Sequence, residues 1–232
     1  MIDFHTHILP GMDDGSKNNE ESRQMLNALA EQNITTVIAT PHFYANDESV
    51  DAFIDRRTRA YQSLMEHRIA GPQIVLGAEV RYYDGISHLQ ELKKLRIEGT
   101  KLLLLEMPFS RWTEYAEKEV LDIACRGKIT PVLAHIERYL PFISKDTLWR
   151  FRQNGVLFQV NASFFEGYFQ SRKAIRMLME DQIHFIGSDC HNMRDRTPDM
   201  QKAYHMIEKK IGDTSFSDFL KLGNDLFRQN LL

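Results

Sequence analysis

At 232 residues the chain is long enough to bury a sizeable core, and it is expected to form one domain over 1–232. Its 43% hydrophobic and 26% charged residues are ordinary for a soluble globular protein, and a formal net charge of −3 offers no basic footprint for nucleic acid and no polybasic patch for a membrane surface. Two cysteines, Cys125 and Cys190, are too few for a disulfide framework; with no signal peptide and no apolar run long enough for membrane insertion, a cytoplasmic location is expected.

The first expected strand, 1–4, runs into His5 and His7, whose side chains share a direction in an extended backbone. Neutral imidazole is a common metal ligand, so this pair makes half of a divalent site. A turn at Pro10-Gly11 then delivers Asp13 and Asp14. A helix over 19–32 follows, with Met25, Leu26 and Leu29 on one face, and a β-branched strand over 34–40 ends at Pro41-His42. After a long helix over 47–68, the third strand (73–79) closes on Glu79. Past a helix over 86–95, the fourth (101–106) closes on Glu106. A helix over 113–126 leads to the fifth strand, 129–135, which ends at His135. Helix 145–153, strand 156–161 and helix 171–180 come next. The seventh strand, 184–189, ends at Asp189, two residues before His191, and helices over 198–211 and 216–229 close the sequence.

Strand-like runs alternating with amphipathic segments predict an α/β fold, a distorted (β/α)7 TIM-like barrel one unit short of the usual eight. A doubly wound open sheet is the alternative, although no Gly-x-Gly-x-x-Gly follows the first strand. In a parallel barrel all C-terminal strand ends lie on one face, where active sites are built. His5, His7, Asp14, His42, Glu79, Glu106, His135, Asp189 and His191 would then converge from distant positions. Singly, each has a plainer role as a packed or solvated residue. Repeated placement at the same end of successive strands is what points to a site. His67, His88, His184 and His205 fall elsewhere and are assigned packing or solvated roles.

These candidates are too many for one metal, since an open site uses three or four protein ligands. They suit two or three divalent ions, with a carboxylate bridging. Imidazole and carboxylate without thiolate suits manganese, iron or zinc rather than calcium. Such clusters clamp the oxygens of an in-line displacement, and phosphate-ester hydrolysis is the expected reaction.

The combination Asp3-Phe4-His5-Thr6-His7, Thr40-Pro41-His42, Glu79, Glu106-Met107-Pro108, Ala134-His135-Ile136-Glu137-Arg138-Tyr139 and Ser188-Asp189-Cys190-His191 resembles the PHP (polymerase and histidinol phosphatase) superfamily. Ile8-Leu9-Pro10-Gly11 with Asp13-Asp14-Gly15, and the segment from His135 to Tyr139, resemble its manganese-dependent tyrosine phosphatases of the CpsB/YwqE capsular-polysaccharide type. That resemblance implies a trinuclear centre: His5, His7, Glu79 and Asp189 on one metal; Glu79 bridging to a second with Glu106 and His135; Asp14, His42 and His191 on the third. It implies Arg138 and Arg196 as phosphate-binding arginines. The implied substrate is a phosphotyrosine protein, a bacterial tyrosine autokinase whose state controls polysaccharide assembly, attacked by metal-activated hydroxide. One departure is Ile136, where family members often have proline.

Phe43, Tyr44, Arg111 and Trp112 follow strand ends and are candidates for lining the phosphotyrosine entrance, with loop packing as the alternative. Cys190 to Arg196 satisfies Cys-x5-Arg, the outline of a thiolate phosphatase, but the loop lacks the glycines of a phosphate cradle, and alternation turns Cys190 away from its neighbours Asp189 and His191. Histidinol phosphate or a nucleic-acid phosphodiester as substrate, and a non-catalytic binding module, complete the rival readings. The amphipathic C-terminal segment 216–227 is expected to pack on the barrel or on another subunit.

Overall fold

The computed structural model describes residues 1–66 and 70–232. Nine strands, rather than seven, form among them: β1 (Ile2–Thr6), β2 (Thr36–Ala39), β3 (His42–Phe43), β4 (Gln73–Leu76), β5 (Glu79–Arg81), β6 (Leu102–Glu106), β7 (Thr130–Leu133), β8 (Leu157–Asn161) and β9 (Phe185–Gly187). The surplus comes from two interruptions. The second expected strand, 34–40, forms as β2, and past Pro41, which has no N–H to donate, the chain pairs again as β3, beyond the expected end. The third breaks at Gly77-Ala78 and resumes as β5. Pairing runs β1–β2–β4 in one sheet and β3–β5–β6–β7–β8–β9 in the other, parallel throughout. A parallel bridge between Thr6 and Cys190, with the Asp189 amide donating to His5 at 2.8 Å and the His7 amide to Cys190 at 2.9 Å, sets β1 beside the segment after β9. The result is a curled parallel sheet in an α/β fold.

Helices α1 (Asn19–Glu31), α2 (Val50–Glu66), α3 (Glu114–Cys125), α4 (Lys145–Gln153), α5 (Tyr168–Met179), α6 (Gln201–Ile211) and α7 (Asp213–Gln229) pack around it. Asn18, Thr113 and Ser144 accept from the first-turn amides of α1, α3 and α4, which is why these helices start where they do. The helix expected over 86–95 is instead two 3-10 turns, Ile86–His88 and Gln90–Leu95, broken by extended Leu89. There the Glu119 carboxylate accepts from the amides of Gly85 and Ser87 and competes with helical bonding. The expected end of α2, with His67, lies outside the described residues. Phe216, Phe219 and Leu220 of α7 pack on the main apolar core, and Leu226 and Phe227 on a second one, so this helix seats on its own chain.

That second core is the inside of the curl: Phe4, Ile38, Leu102, Leu104, Val132, Ala134, Leu157 and Phe185, with Val75 beside them. Because strand side chains alternate, counting by twos from these residues shows what reaches the mouth. Ile38 leads to Thr40 and His42, Val75 to Gly77 and Glu79, Leu104 to Glu106. Leu157 leads to Gln159 and Asn161, and Phe185 to Gly187 and Asp189. Two strands break the rule. In β1 the pairing slips between Asp3 and Thr6, so His5 joins Phe4 on the inside. After β7, His135 follows inward-facing Ala134 directly, and it turns in by adopting a left-handed backbone, φ 32°. Gly187 must lack a side chain: a Cβ there would stand 2.5 Å from that of His5.

Candidate metal centre

The nine imidazoles and carboxylates singled out above all lie together at the C-terminal mouth of the sheet. Glu79 is at the middle. Its Oε2 lies 3.2 Å from His5 Nε2, 3.3 Å from His7 Nε2 and 3.1 Å from His42 Nδ1, while Oε1 lies 3.0 Å from His135 Nε2. Glu106 Oε1 is 3.6 Å from the same His135 nitrogen. On the other flank, Asp189 Oδ1 is 3.6 Å from His5 Nε2 and 3.5 Å from His7 Nε2. Asp14, largely exposed, closes the edge with Oδ1 3.3 Å from His191 Nε2 and 3.6 Å from His42 Nε2.

Three sets of donors have atoms within 4.8 Å of one another: His7, Asp14, His42 and His191; His5, His7 and Asp189; His42, Glu79 and Glu106. Outer contacts decide which nitrogens face inward. Asp13 Oδ2 accepts from His7 Nδ1 at 2.7 Å, Gln159 Oε1 from His5 Nδ1 at 3.2 Å, and the Asp189 carbonyl from His191 Nδ1 at 3.0 Å. With Nδ1 protonated in each, the Nε2 lone pair is left for the cluster, the arrangement that metal-ligating histidines use. His5 Nε2 and His7 Nε2 then face each other at 3.1 Å, a contact that needs a cation or a shared proton between two lone pairs. The buried Nδ1 of His42 has no aligned hydrogen-bond partner either. These residues fit divalent metal.

The electrostatics follow from that crowding. Burial opposes charge on His7, but Asp13, Asp189 and Glu79 outweigh it and hold its pKa well above the ordinary value. His5 is raised against the same burial by Glu79 and Asp189. Burial likewise opposes ionisation of Glu79 and Asp189, yet the imidazoles keep both carboxyls well below their usual range. Glu106 is raised, by burial first and by Glu79 second. Burial, His7 and Arg196 push His191 down to about 4.

Both candidate arginines reach the cluster through Asp189. Arg138 Nη2 donates to Oδ2 at 2.7 Å, and Arg196 Nη2 lies 2.6 Å from Oδ1, each side chain 39% exposed. Arg196 Nη1 also meets His191 Nε2 at 2.8 Å.

Several supporting residues escaped the sequence reading. Asp13 is one of them, its carboxylate accepting from His7 Nδ1. Gln159 Oε1 accepts from both His5 and the His135 amide (2.7 Å), Asn161 Nδ2 donates to Asp189 Oδ2 at 2.8 Å, and Arg81 Nη1 donates to Glu106 Oε2 at 2.7 Å. The signal for Gln159 and Asn161 was available: polar residues at alternate positions in an otherwise apolar strand. Among the entrance candidates, Phe43 and Trp112 are buried in the core, and Arg111 lines a groove beside α3 and α4. Only Tyr44 stands at the site, its ring 5.3 Å from that of His42. Cys190 is wholly buried among apolar side chains, and burial with Asp3 nearby pushes its thiol up, away from a nucleophilic thiolate. Of the remaining histidines, His184 Nδ1 accepts from the Phe158 amide, His88 lies in a 3-10 turn, and His205 is exposed on α6.

The fold and its mouth define a class of solved structure. Over its full length the chain superposes with TM-score 0.83, at 29% identity and covering 96% of the other chain, on a structure from the work described as "Crystal structures of YwqE from Bacillus subtilis and CpsB from Streptococcus pneumoniae, unique metal-dependent tyrosine phosphatases". It is 32% identical to the tyrosine-protein phosphatase YwqE of Bacillus subtilis, covering 99% of this chain and 94% of that one. To the tyrosine-protein phosphatase CpsB of Streptococcus pneumoniae it is 33% identical, covering 91% of each. Residues 1–225 match the family described as "Capsular polysaccharide synthesis, CpsB/CapC", and the chain belongs to that family.

Proposed function

We propose that this chain is a metal-dependent protein-tyrosine phosphatase, a phosphoric monoester hydrolase acting in capsular or exopolysaccharide synthesis. The observation that carries the reading is the Glu79 carboxylate in contact with four imidazoles from three other strand ends, inside a shell that turns three histidine lone pairs inward. In this reading His5, His7, Glu79 and Asp189 hold one metal, Glu79, Glu106 and His135 a second, and Asp14, His42 and His191 a third, with manganese as the native ion. The mixed imidazole–carboxylate donor set supports manganese, iron or zinc. Bound divalent cations would supply Lewis acidity toward phosphoryl oxygens and an acidified water.

The chain's own residues do the rest. Arg138 and Arg196 orient the phosphate, their guanidinium groups shared between Asp189 and the incoming anion. The Asp13, Gln159 and Asn161 contacts hold the imidazoles and Asp189 in place, so little reorganisation accompanies binding. The substrate is a phosphotyrosine protein, in this reading a bacterial tyrosine kinase, met in the cytoplasm. No helix among the described residues is long and apolar enough to cross a membrane. Counting β2–β3 and β4–β5 as one interrupted strand each, the architecture reads as a single-domain distorted (β/α)7 barrel.

The deciding assay is hydrolysis of a phosphotyrosine peptide before EDTA treatment, after it, and after manganese is added back. Loss and recovery are expected. Activity that survives exhaustive chelation would overturn the metal reading. Turnover of histidinol phosphate with none of the peptide would overturn the substrate.

A further inference from the structure

The rim of the mouth is divided into two arcs. Arg138 follows β7 and Arg196 follows β9, so both guanidinium groups enter from one side. On β3, β5 and β6, which pair in that order, the residues at or just past the strand ends are Tyr44, Arg81 and Phe109. Tyr44 is 39% exposed and Phe109 44% exposed, large rings left in solvent directly above the cluster. Tyr44 leans on the His42 imidazole at 5.3 Å, and Phe109 stacks on that of His135 at 5.6 Å with 25° between planes. The Arg81 guanidinium carbon stands 5.5 Å over the Phe109 ring while its Nη1 is held by Glu106.

Phe109 is not a loosely held loop residue. The Tyr139 hydroxyl accepts from the Met107 amide at 3.0 Å, and Trp112 Nε1 donates to the Pro108 carbonyl at 3.0 Å, so the backbone is pinned on the approach to the ring. Tyr139 and Trp112 are both buried, and the Phe109 ring rests 5.4 Å from that of Tyr139. Contact with Tyr139 and His135 holds the ring in place, while 44% of Phe109 stays open to solvent. A pre-set aromatic face loses little entropy when a ligand ring lies against it.

We propose that Tyr44, Arg81 and Phe109 form the wall on which the ring of an aryl phosphate stacks, and that Phe109 is the residue that chiefly sets a preference for aryl over alkyl phosphates. The proposal rests on the phosphatase reading for its substrate class. Its physical basis is separate: an aromatic pair and a cation above the ring favour a π-face over an alkyl chain.

The test measures binding rather than turnover. Affinities of metal-loaded protein for phenylphosphonate and methylphosphonate are determined by calorimetry, for wild type, Phe109→Ala, Phe109→Leu and Tyr44→Ala. Wild type is expected to favour phenylphosphonate by about tenfold, the scale of one stacked ring with a cation–π contact, and Phe109→Ala to cut that ratio to about twofold. Phe109→Leu keeps apolar bulk without a π-face and is expected to fall between them; it replaces Phe109→Ala if that variant binds neither probe. No aryl preference in wild type, or an undiminished ratio in Phe109→Leu and Phe109→Ala, overturns the wall. A wild-type protein that shows the preference yet never hydrolyses a phosphotyrosine peptide upholds the wall and removes the phosphatase reading, so the two failures are distinct.

Discussion

Asp13 Oδ2 accepts from His7 Nδ1 at 2.7 Å and from the His42 amide at 2.8 Å, while its other oxygen accepts from the Gly15 amide at 2.9 Å. One carboxylate therefore orients the His7 imidazole, the backbone of His42, and the turn that carries Asp14. Asp13→Ala frees the His7 ring and lowers its basicity, with an expected loss of about 10–100-fold in metal affinity. Activity at limiting manganese should fall by a similar factor and return in excess metal. A titration of activity against free manganese checks this, and an unchanged midpoint would count against a positioning role.

Glu79→Gln leaves the geometry nearly intact but removes the charge that faces four imidazoles. Metal content measured by elemental analysis is expected to drop by at least one ion per chain. Activity should fall at least about a hundredfold, the upper end seen even for residues behind the ligands. Wild-type metal content in this variant would remove Glu79 from the bridging position.

For the arginines the expected signature is kinetic. Losing one charge-assisted bond to phosphate costs about 1.5–3 kcal/mol, so Arg138→Ala and Arg196→Ala should each lower kcat/KM by about 10–100-fold. Lysine at either position restores charge without the planar fork and is expected to recover only part of that loss. Full recovery by lysine would show that charge alone suffices.

Cys190→Ser is expected to keep activity within about twofold of wild type, because the thiol is wholly buried in the apolar core, where burial disfavours a thiolate. It should lower thermal stability, since a hydroxyl is harder to bury. Abolished activity in a folded variant would revive the thiolate mechanism.

His184 gives a pH test away from the metal. Burial, then Arg152, lowers its pKa from 6.5 to about 4, and its Nδ1 must stay unprotonated to accept from the Phe158 amide. The folded state thus binds this proton less readily than the unfolded state, so its contribution to stability is present above 6.5 and is lost as pH falls toward 4. His184→Gln, which can still accept that bond, should flatten the stability profile between these values in denaturant titrations. An unchanged slope would place the acid sensitivity elsewhere.

Much of the site was legible because parallel strands put their C-terminal ends on one face, and a polar residue closing an apolar run is visible as text. Glu106 and Asp189 needed only alternation from Leu104 and Phe185. The wall was harder to read. Phe43 is next to Tyr44 in sequence and Trp112 lies three residues past Phe109, and packing on Phe53 and Phe151 sends Phe43 and Trp112 inward.

The sequence by itself determined the alternation of strands and helices, the donor set and its lack of thiolate, since these depend on residue type and on period along one segment. Tertiary structure alone decided that β1 slips in register to turn His5 inward and that His135 takes a left-handed backbone to the same end. It also decided that Glu79 sits among four imidazoles and that both arginines close on Asp189. The reason is physical: such contacts join residues far apart in the chain, and their geometry exists only once the strands have curled and the neighbouring cores have packed.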